Sequence, residues 1–112
     1  LDISIENLLI DGFKIKNGVI LQHGNVYLID YGVSEIINDN NKYYNKKSGK
    51  ASYMSPQMYS GKKYKPKKCD IYSLGVTILS MCIGKRLYDK PDMNDLGWKS
   101  FNKDIDRCIG ND

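Results

Sequence analysis

Short apolar runs separated by turn dipeptides open the chain. Leu8–Ile10, Val19–Leu21 and Val26–Ile29 are rich in strand formers, and Asp11-Gly12, Asn17-Gly18 and Gly24-Asn25 lie between them. The pattern predicts a small antiparallel set of two or three strands across residues 8–30. Residues 32–52 are polar, rich in Asn, Lys and Tyr, and without a period. They predict a long loop, a feature often tied to function in a compact domain. Pro56 leaves room for a short helix within 53–60, and 61–68 reads as a Gly-, Pro- and Lys-rich loop. From Asp70 to Ile83 the chain is apolar nearly all round, which predicts a buried helix, with Asp70 capping its start and Gly84 suiting its end. Residues 85–97 return to loop. A last helix from about Ser100 to Ile109 places Phe101, Ile105, Cys108 and Ile109 on one side.

Composition narrows the class. At 112 residues and 41% apolar content the chain suffices for one small domain with a modest core. No run of about 18 apolar residues is present, so no membrane span is expected. Residues 1–20 lack the pattern of a secretion signal. The chain opens at Leu1 inside an apolar–polar pattern and closes just after a helix-like stretch, so an excerpt of a longer protein is expected. Cys69, Cys82 and Cys108 are odd in number and have no metal-like spacing, which points to reduced thiols and an intracellular, most simply cytoplasmic, setting. With His23 as the single histidine, a His-based metal site or a Ser-His triad has little to work with. The excess of Lys over Arg, with abundant Asn, Ile and Tyr, reflects AT-rich coding rather than function.

The net charge of +4 conceals an asymmetry. Nine lysines and no acid lie between Asn41 and Cys69, leaving eight basic groups against all 13 acids in the rest of the chain. Either this block is a solvated face, or it meets something anionic.

Two fragments carry candidate chemistry. In Asp2-Ile3-Ser4-Ile5-Glu6-Asn7 an Asp and an Asn stand five residues apart just before a strand, and Asp30-Tyr31-Gly32 ends a strand and opens a loop. A carboxylate at a strand end with an Asn amide oxygen nearby suits Mg²⁺, which takes few protein oxygens and leaves the rest to water and phosphate. A second carboxylate, Asp2, can accept a proton from a nucleophile.

These residues, in this order, resemble the C-terminal lobe of eukaryotic protein kinases. Leu1-Asp2 through Asn7 resembles the catalytic loop, and Asp30-Tyr31-Gly32 the Asp-Phe-Gly element with Tyr for Phe. Gly49–Gln57 (GKASYMSPQ) resembles the close of the activation segment, and Asp70–Gly75 (DIYSLG) the start of the central helix. Any one of these motifs alone is weak, but all four in the family's order over residues 1–75 are specific. The resemblance implies an α+β, mostly helical fold: a C-terminal lobe with a small antiparallel hairpin and a central buried helix at about 70–83. Residues 1–112 would be a partial kinase domain, with catalytic loop 1–7, metal-binding loop 30–32 and activation segment 30–57, and without the N-terminal lobe. It further implies ATP and Mg²⁺ as cofactors, Asp2 as catalytic base, and Asn7 and Asp30 as metal ligands. Asn7, Leu9 and Asp30 would serve cofactor binding, with Leu9 and Met81 in a packed column under the adenine. Asp70 would hold the catalytic-loop backbone. The Glu6-Asn7 pair favours Ser/Thr over Tyr specificity, and the Leu1–Ile10 form with its AT-rich composition is similar to the FIKK kinases of apicomplexan parasites.

The chain departs from the family's pattern in several places. Leu1 stands where an Arg usually pairs with a phosphate on the activation segment, so switching is not expected to depend on phosphate at Ser34, Tyr43, Tyr44, Ser48 or Ser52. Ser4 stands in place of a Lys, and Lys50 in place of a Thr. The two read as an exchange in which Lys50 returns its charge to Asp2 and the γ-phosphate with Ser4 as its partner, making both catalytic candidates. Independent drift of the two positions is the alternative. Gln57 replaces a Glu. Asn7 and Asp30 are 23 residues apart, longer than the family's habit, and the extra length falls in the turn-rich stretch 11–25, as a longer surface hairpin.

Three functions remain open at this stage. One is a protein kinase acting on a protein substrate, with Lys62, Lys63, Lys65, Lys67 and Lys68 near the substrate-facing side and an acidic substrate accordingly; these residues alone are then expected to be inactive. Another is a pseudokinase serving as a regulatory or scaffold module. The third is an anion-binding module using the 41–69 lysines, although lysines without interleaved Arg give no strong sign of nucleic-acid readout. Oligomeric state has no signature here.

Overall fold

The computed structural model describes residues 1–108 and 110. The strands are β1 (Leu8–Asp11), β2 (Lys14–Lys16), β3 (Val19–Gln22) and β4 (Asn25–Leu28). The helices are α1 (Pro56–Tyr59), α2 (Pro66–Ile83) and α3 (Leu96–Cys108), with 3₁₀ turns at Ile5–Asn7 and Ala51–Tyr53.

The strands form two nested antiparallel pairs. β1 runs against β4 from Leu8 opposite Leu28 to Asp11 opposite Asn25, and β2 against β3 forms the inner hairpin. Asn17 and Gly18 close that hairpin with φ of 52° and 74°, the left-handed pair a two-residue turn requires. Gly24 is needed where the pairs meet, because a Cβ there would lie 2.1 Å from the Asp11 carbonyl oxygen. The predicted two or three strands are therefore four. The unread one, Lys14-Ile15-Lys16, has a single apolar residue, too little alternation to register as a strand.

Burial concentrates beside α2. Tyr53, Val76 and Tyr88 form one cluster, flanked by Tyr72, Leu87, Trp98 and Phe101; Met54, Met58, Tyr64 and Cys69 form another, flanked by Tyr44 and Tyr59. The Tyr72 and Tyr88 hydroxyls share a 2.7 Å hydrogen bond, and burial, with that bond, drives the Tyr88 phenol far above its ordinary pKa. Residues 29–50 are the long loop the sequence predicts, carrying an isolated β-bridge from Tyr44 to Tyr64.

The helices depart from the sequence expectation at their starts. α2 begins at Pro66, with Lys65 as N-cap, rather than at Asp70. Proline at the first helical position has the right φ and gives up an N–H that would be unpaired there anyway. Residues 66–68 are thus helix, and Asp70 lies a turn inside it. Gly84 ends α2 as expected, at φ 81° and donating to Ser80 O at 2.8 Å. The expected all-round burial does not hold: Cys69, Val76, Thr77 and Ser80 are buried, while Ile71, Met81 and Ile83 are exposed. Among the described residues only one stripe of α2 finds cover.

α3 begins at Leu96 because Asp95 caps it. The Asp95 carboxylate accepts from Trp98 N at 3.0 Å and also from Asp89 N and Lys90 N, and these bonds, Trp98's first, hold its pKa below the usual range. Phe101 is half-buried against Tyr88, Ile105 and Cys108 are exposed, and Ile109 lies outside the described residues. α1 carries its own cap, Ser55 Oγ accepting from Met58 N at 3.3 Å.

Ser73 on α2 donates to Tyr53 O at 2.6 Å and so ties the helix to the 3₁₀ turn before α1. Ser73→Ala should lower stability by about 1 kcal/mol by leaving that carbonyl unpaired. Ile71→Ala, on the exposed stripe, should change it by no more than about 0.5 kcal/mol. Chemical denaturation of the two variants measures both.

Candidate active site

The turn from Asp2 to Asn7 is built by its own backbone. Asn7 N donates to Ser4 O at 3.1 Å, which closes the 3₁₀ turn, and the buried Asn7 side chain reaches back to donate from Nδ2 to Asp2 O at 2.7 Å. A spacing of five residues is what lets one amide clamp the start of its own turn. Asn7→Ala therefore leaves the Asp2 carbonyl without this donor and should cost about 1–3 kcal/mol, read as a lower Tm in a calorimetric scan.

The β1–β4 ladder continues one step past the strands, where Ile29 N donates to Asn7 O at 2.8 Å. Asn7 and Asp30 are thereby brought to the same end of one strand pair although they are 23 residues apart in sequence. Asp30 has φ 64°, the left-handed region, and its Oδ1 accepts from Gly32 N at 3.3 Å. Tyr31 swings its hydroxyl back to Leu28 O at 2.8 Å. The Asp30 carboxylate is exposed and keeps its second oxygen free of these bonds.

Lys50 arrives from the far end of the long loop. Its Nζ lies 3.0 Å from Asp2 Oδ2, 3.1 Å from Ser4 Oγ and 3.6 Å from Glu6 Oε2. Ser4 is fully buried. Partial burial works against the Lys50 charge, but the Asp2 hydrogen bond and charge, followed by Glu6, hold its pKa above the ordinary lysine value. The Ser4 hydroxyl leads the influences that keep the Glu6 carboxyl below its usual range. Gly49, at φ 88°, presses against the same carboxylate: a Cβ there would stand 3.2 Å from Asp2 Oδ1. The structure thus brings Asp2, Ser4, Asn7 and Lys50 together, with Asp30 joined through the ladder. Glu6 and Gly49 were missed as participants. The signal for Glu6 was its place four residues after Asp2 on the same tight turn; an isolated glycine carries none.

Leu9 and Met81 do not form the expected packed column. Each is about half exposed, 53% and 51%, and neither belongs to a buried cluster. Leu9 stands opposite Tyr27 on the outer strand pair, while Met81 lies on the uncovered stripe of α2. Asp70 faces the start of the chain ahead of the Asp2–Asn7 turn, its Oδ1 3.5 Å from the Leu1 backbone nitrogen, and burial raises its pKa. The cleft of about 440 Å³ between Leu1, Ser34, Tyr44, Tyr64 and Pro66 is not lined by Asp2, Asn7 or Asp30, and neither is the larger one of about 550 Å³ between Pro56, Tyr59, Pro91 and Trp98. The candidate chemistry sits on an open face.

The lysine block divides. Lys42, Lys47 and Lys65 lie over the rings of Tyr44, Tyr59 and Tyr43 at 5.2, 4.4 and 5.5 Å, so their stems and charges are partly engaged within the chain. Lys50 meets Asp2 and Glu6, while Lys46, Lys62, Lys63, Lys67 and Lys68 are exposed.

Comparison with known proteins places the chain in a family. The protein kinase domain family matches residues 1–109. The chain is 36% identical over 98 residues to mitogen-activated protein kinase kinase 1 of Arabidopsis thaliana, covering 88% of this chain and 27% of that protein. It is 31% identical over 107 residues to a probable serine/threonine-protein kinase KIN1 homolog of Encephalitozoon cuniculi, covering 96% and 17%. It is 37% identical over 75 residues to serine/threonine-protein kinase STE20 of Candida glabrata, covering 67% and 8%. The chain belongs to the protein kinase family. It spans about a quarter or less of the length of these relatives.

The family uses ATP and Mg²⁺, and the residues present fit the ion. Asn7 spends Nδ2 on Asp2 O, which leaves Oδ1 as its free hard oxygen, and Asp30 offers an exposed carboxylate. Among the described residues no group of three or more His, Cys, Asp or Glu forms a metal cage. A donor set of one carboxylate and one amide suits an ion that keeps water and phosphate oxygens as its other ligands. No helix of the described residues is long and apolar enough to cross a membrane.

Proposed function

We propose that this chain is the catalytic face of the C-terminal lobe of a serine/threonine protein kinase, which moves the γ-phosphoryl group of ATP to a protein hydroxyl. Residues 1–112 are then a partial kinase domain, with catalytic loop 1–7, metal-binding loop 30–32, activation segment 30–57 and α2 as its central helix. The observation that carries this reading is the junction of the two loops. One backbone bond, Ile29 N to Asn7 O, sets the Asp2–Asn7 turn beside Asp30.

Asp2 accepts the proton of the substrate hydroxyl as its oxygen attacks phosphorus and the bond to the departing diphosphate oxygen breaks. Asn7 fixes the Asp2 backbone through Nδ2 and offers Oδ1 to Mg²⁺; Asp30 offers its carboxylate to the same end of the site. Mg²⁺, when bound, neutralises charge on the phosphate oxygens. Leu9, half exposed on the outer strand pair, gives the adenine an apolar surface. An open face with these groups supplies one wall of a nucleotide cleft, so the other lobe must supply the opposite wall, and residues 1–112 alone are expected to be inactive. The exposed lysines Lys62, Lys63, Lys67 and Lys68 favour an acidic protein substrate. The three free cysteines fit a reducing, intracellular setting.

The test is phosphate transfer from ATP by the full-length natural protein. Asp2→Asn should lower kcat by about 10²–10⁴-fold, the usual contribution of a general base, with ATP binding retained. Transfer by Asp2→Asn at the unaltered rate would contradict the assignment. Absence of both transfer and ATP binding in the unaltered protein would favour a regulatory pseudokinase.

A further inference from the structure

The contact between Lys50 and the catalytic turn has a consequence for control of the site. We propose that Lys50 is a positioning residue that holds the Asp2 carboxylate, so that the placement of segment 30–57, without any phosphate on it, decides whether the site is assembled. The proposal rests on the phosphotransfer reading above.

Four observations converge on it. Lys50 is the only lysine or arginine among the described residues within 4.0 Å of Asp2 or Glu6, and it reaches both. The buried Ser4 hydroxyl accepts from the same ammonium at 3.1 Å, which aims Nζ at Asp2 Oδ2 rather than leaving it free on the surface. Gly49 places the segment backbone directly against Asp2, in a left-handed conformation a larger residue adopts only with strain. Behind Lys50 the segment is anchored: Tyr53 N donates to Lys50 O at 3.0 Å, and Ser73 on α2 donates to Tyr53 O at 2.6 Å. The chain from α2 to the carboxylate is thus continuous through Ser73, Tyr53, Lys50 and Asp2.

The link is made by a charge that the chain itself carries. On the other side of Asp2 stands Leu1, which offers no cation for a phosphate group. An ammonium that bridges two carboxylates 44 and 48 residues away in sequence does for this segment what a phosphate–arginine pair does elsewhere, and it is present from synthesis. No bond forms or breaks at Lys50 during transfer. It keeps its proton throughout, and its effect comes from placing positive charge beside the reacting groups in a preorganised position.

The experiment uses the full-length natural protein, treated with a phosphatase, with Lys50→Met, Lys50→Arg and the exchanged pair Ser4→Lys with Lys50→Thr. Lys50→Met should lose about 100-fold in kcat, the scale of removing one preorganised electrostatic partner, with KM for ATP changed little. Lys50→Arg and the exchanged pair should each recover most of that loss, because either restores a cation at Asp2. Phosphatase treatment should leave the unaltered protein's rate unchanged. Amide hydrogen exchange over residues 49–55 should speed up about tenfold in Lys50→Met and not in Lys62→Met, since only the first releases the segment. A normal kcat in Lys50→Met beside a dead Asp2→Asn would overturn the role of Lys50 and leave phosphotransfer standing. Loss of activity on phosphatase treatment would overturn control without phosphate. If the unaltered protein transfers no phosphate, the phosphotransfer reading fails on its own, and unchanged exchange in Lys50→Met would then overturn the tether as well.

Discussion

One backbone hydrogen bond organises this chain's chemistry: Ile29 N to Asn7 O, the step by which the β1–β4 ladder runs past its strands. Everything between Asn7 and Ile29 can vary in length because the ladder, and not the connection, sets the approach of the two loops. The inner hairpin shows this. It occupies residues 14–22, all of them exposed, and the outer pair closes around it because Gly24 has no side chain to collide with the Asp11 carbonyl. Lose the outer ladder, and Asp2 and Asn7 on one side and Asp30 on the other have no common frame.

From that frame the site is assembled in two directions. Asn7 turns back to clamp Asp2 O through Nδ2, which leaves its amide oxygen outside that bond. The long loop returns from the far side and sets Lys50 on Asp2, held from behind by Tyr53 and Ser73. The polar groups so placed are few and mutually satisfied, which is how buried or half-buried charges persist without a large loss of stability. The lysine-rich block reads differently in this light. Part of it is spent inside the chain on tyrosine faces and on Asp2, and Lys46, Lys62, Lys63, Lys67 and Lys68 are left exposed.

Much of this was legible in the residues. Asn17-Gly18 announced its hairpin and Gly84 its helix end. Lys50 and Ser4, 46 residues apart, were paired from the order of motifs, and they stand 3.1 Å apart. What was not legible follows from physics that a linear pattern does not carry. Asp70 has the chemistry of a cap, but Pro66 starts the helix a turn earlier, so Asp70 points at the Leu1 backbone instead. Asp95 looked like a loop residue until three amides converged on it. The apolar circumference of α2 promised burial all round, yet burial depends on what packs against a helix, and only one stripe has a partner among the described residues. Glu6 and Gly49 act through proximity to residues far along the chain, which composition and period do not encode.

The most direct measurement is a calorimetric titration of ATP into the full-length natural protein and into Asp30→Ala, each with and without Mg²⁺. Phosphotransfer at this site requires that ATP bind the unaltered protein with the help of Mg²⁺, and that Asp30→Ala lose that help while Mg²⁺-free binding stays the same. Binding that is indifferent both to Mg²⁺ and to Asp30 would contradict the proposed roles of these loops.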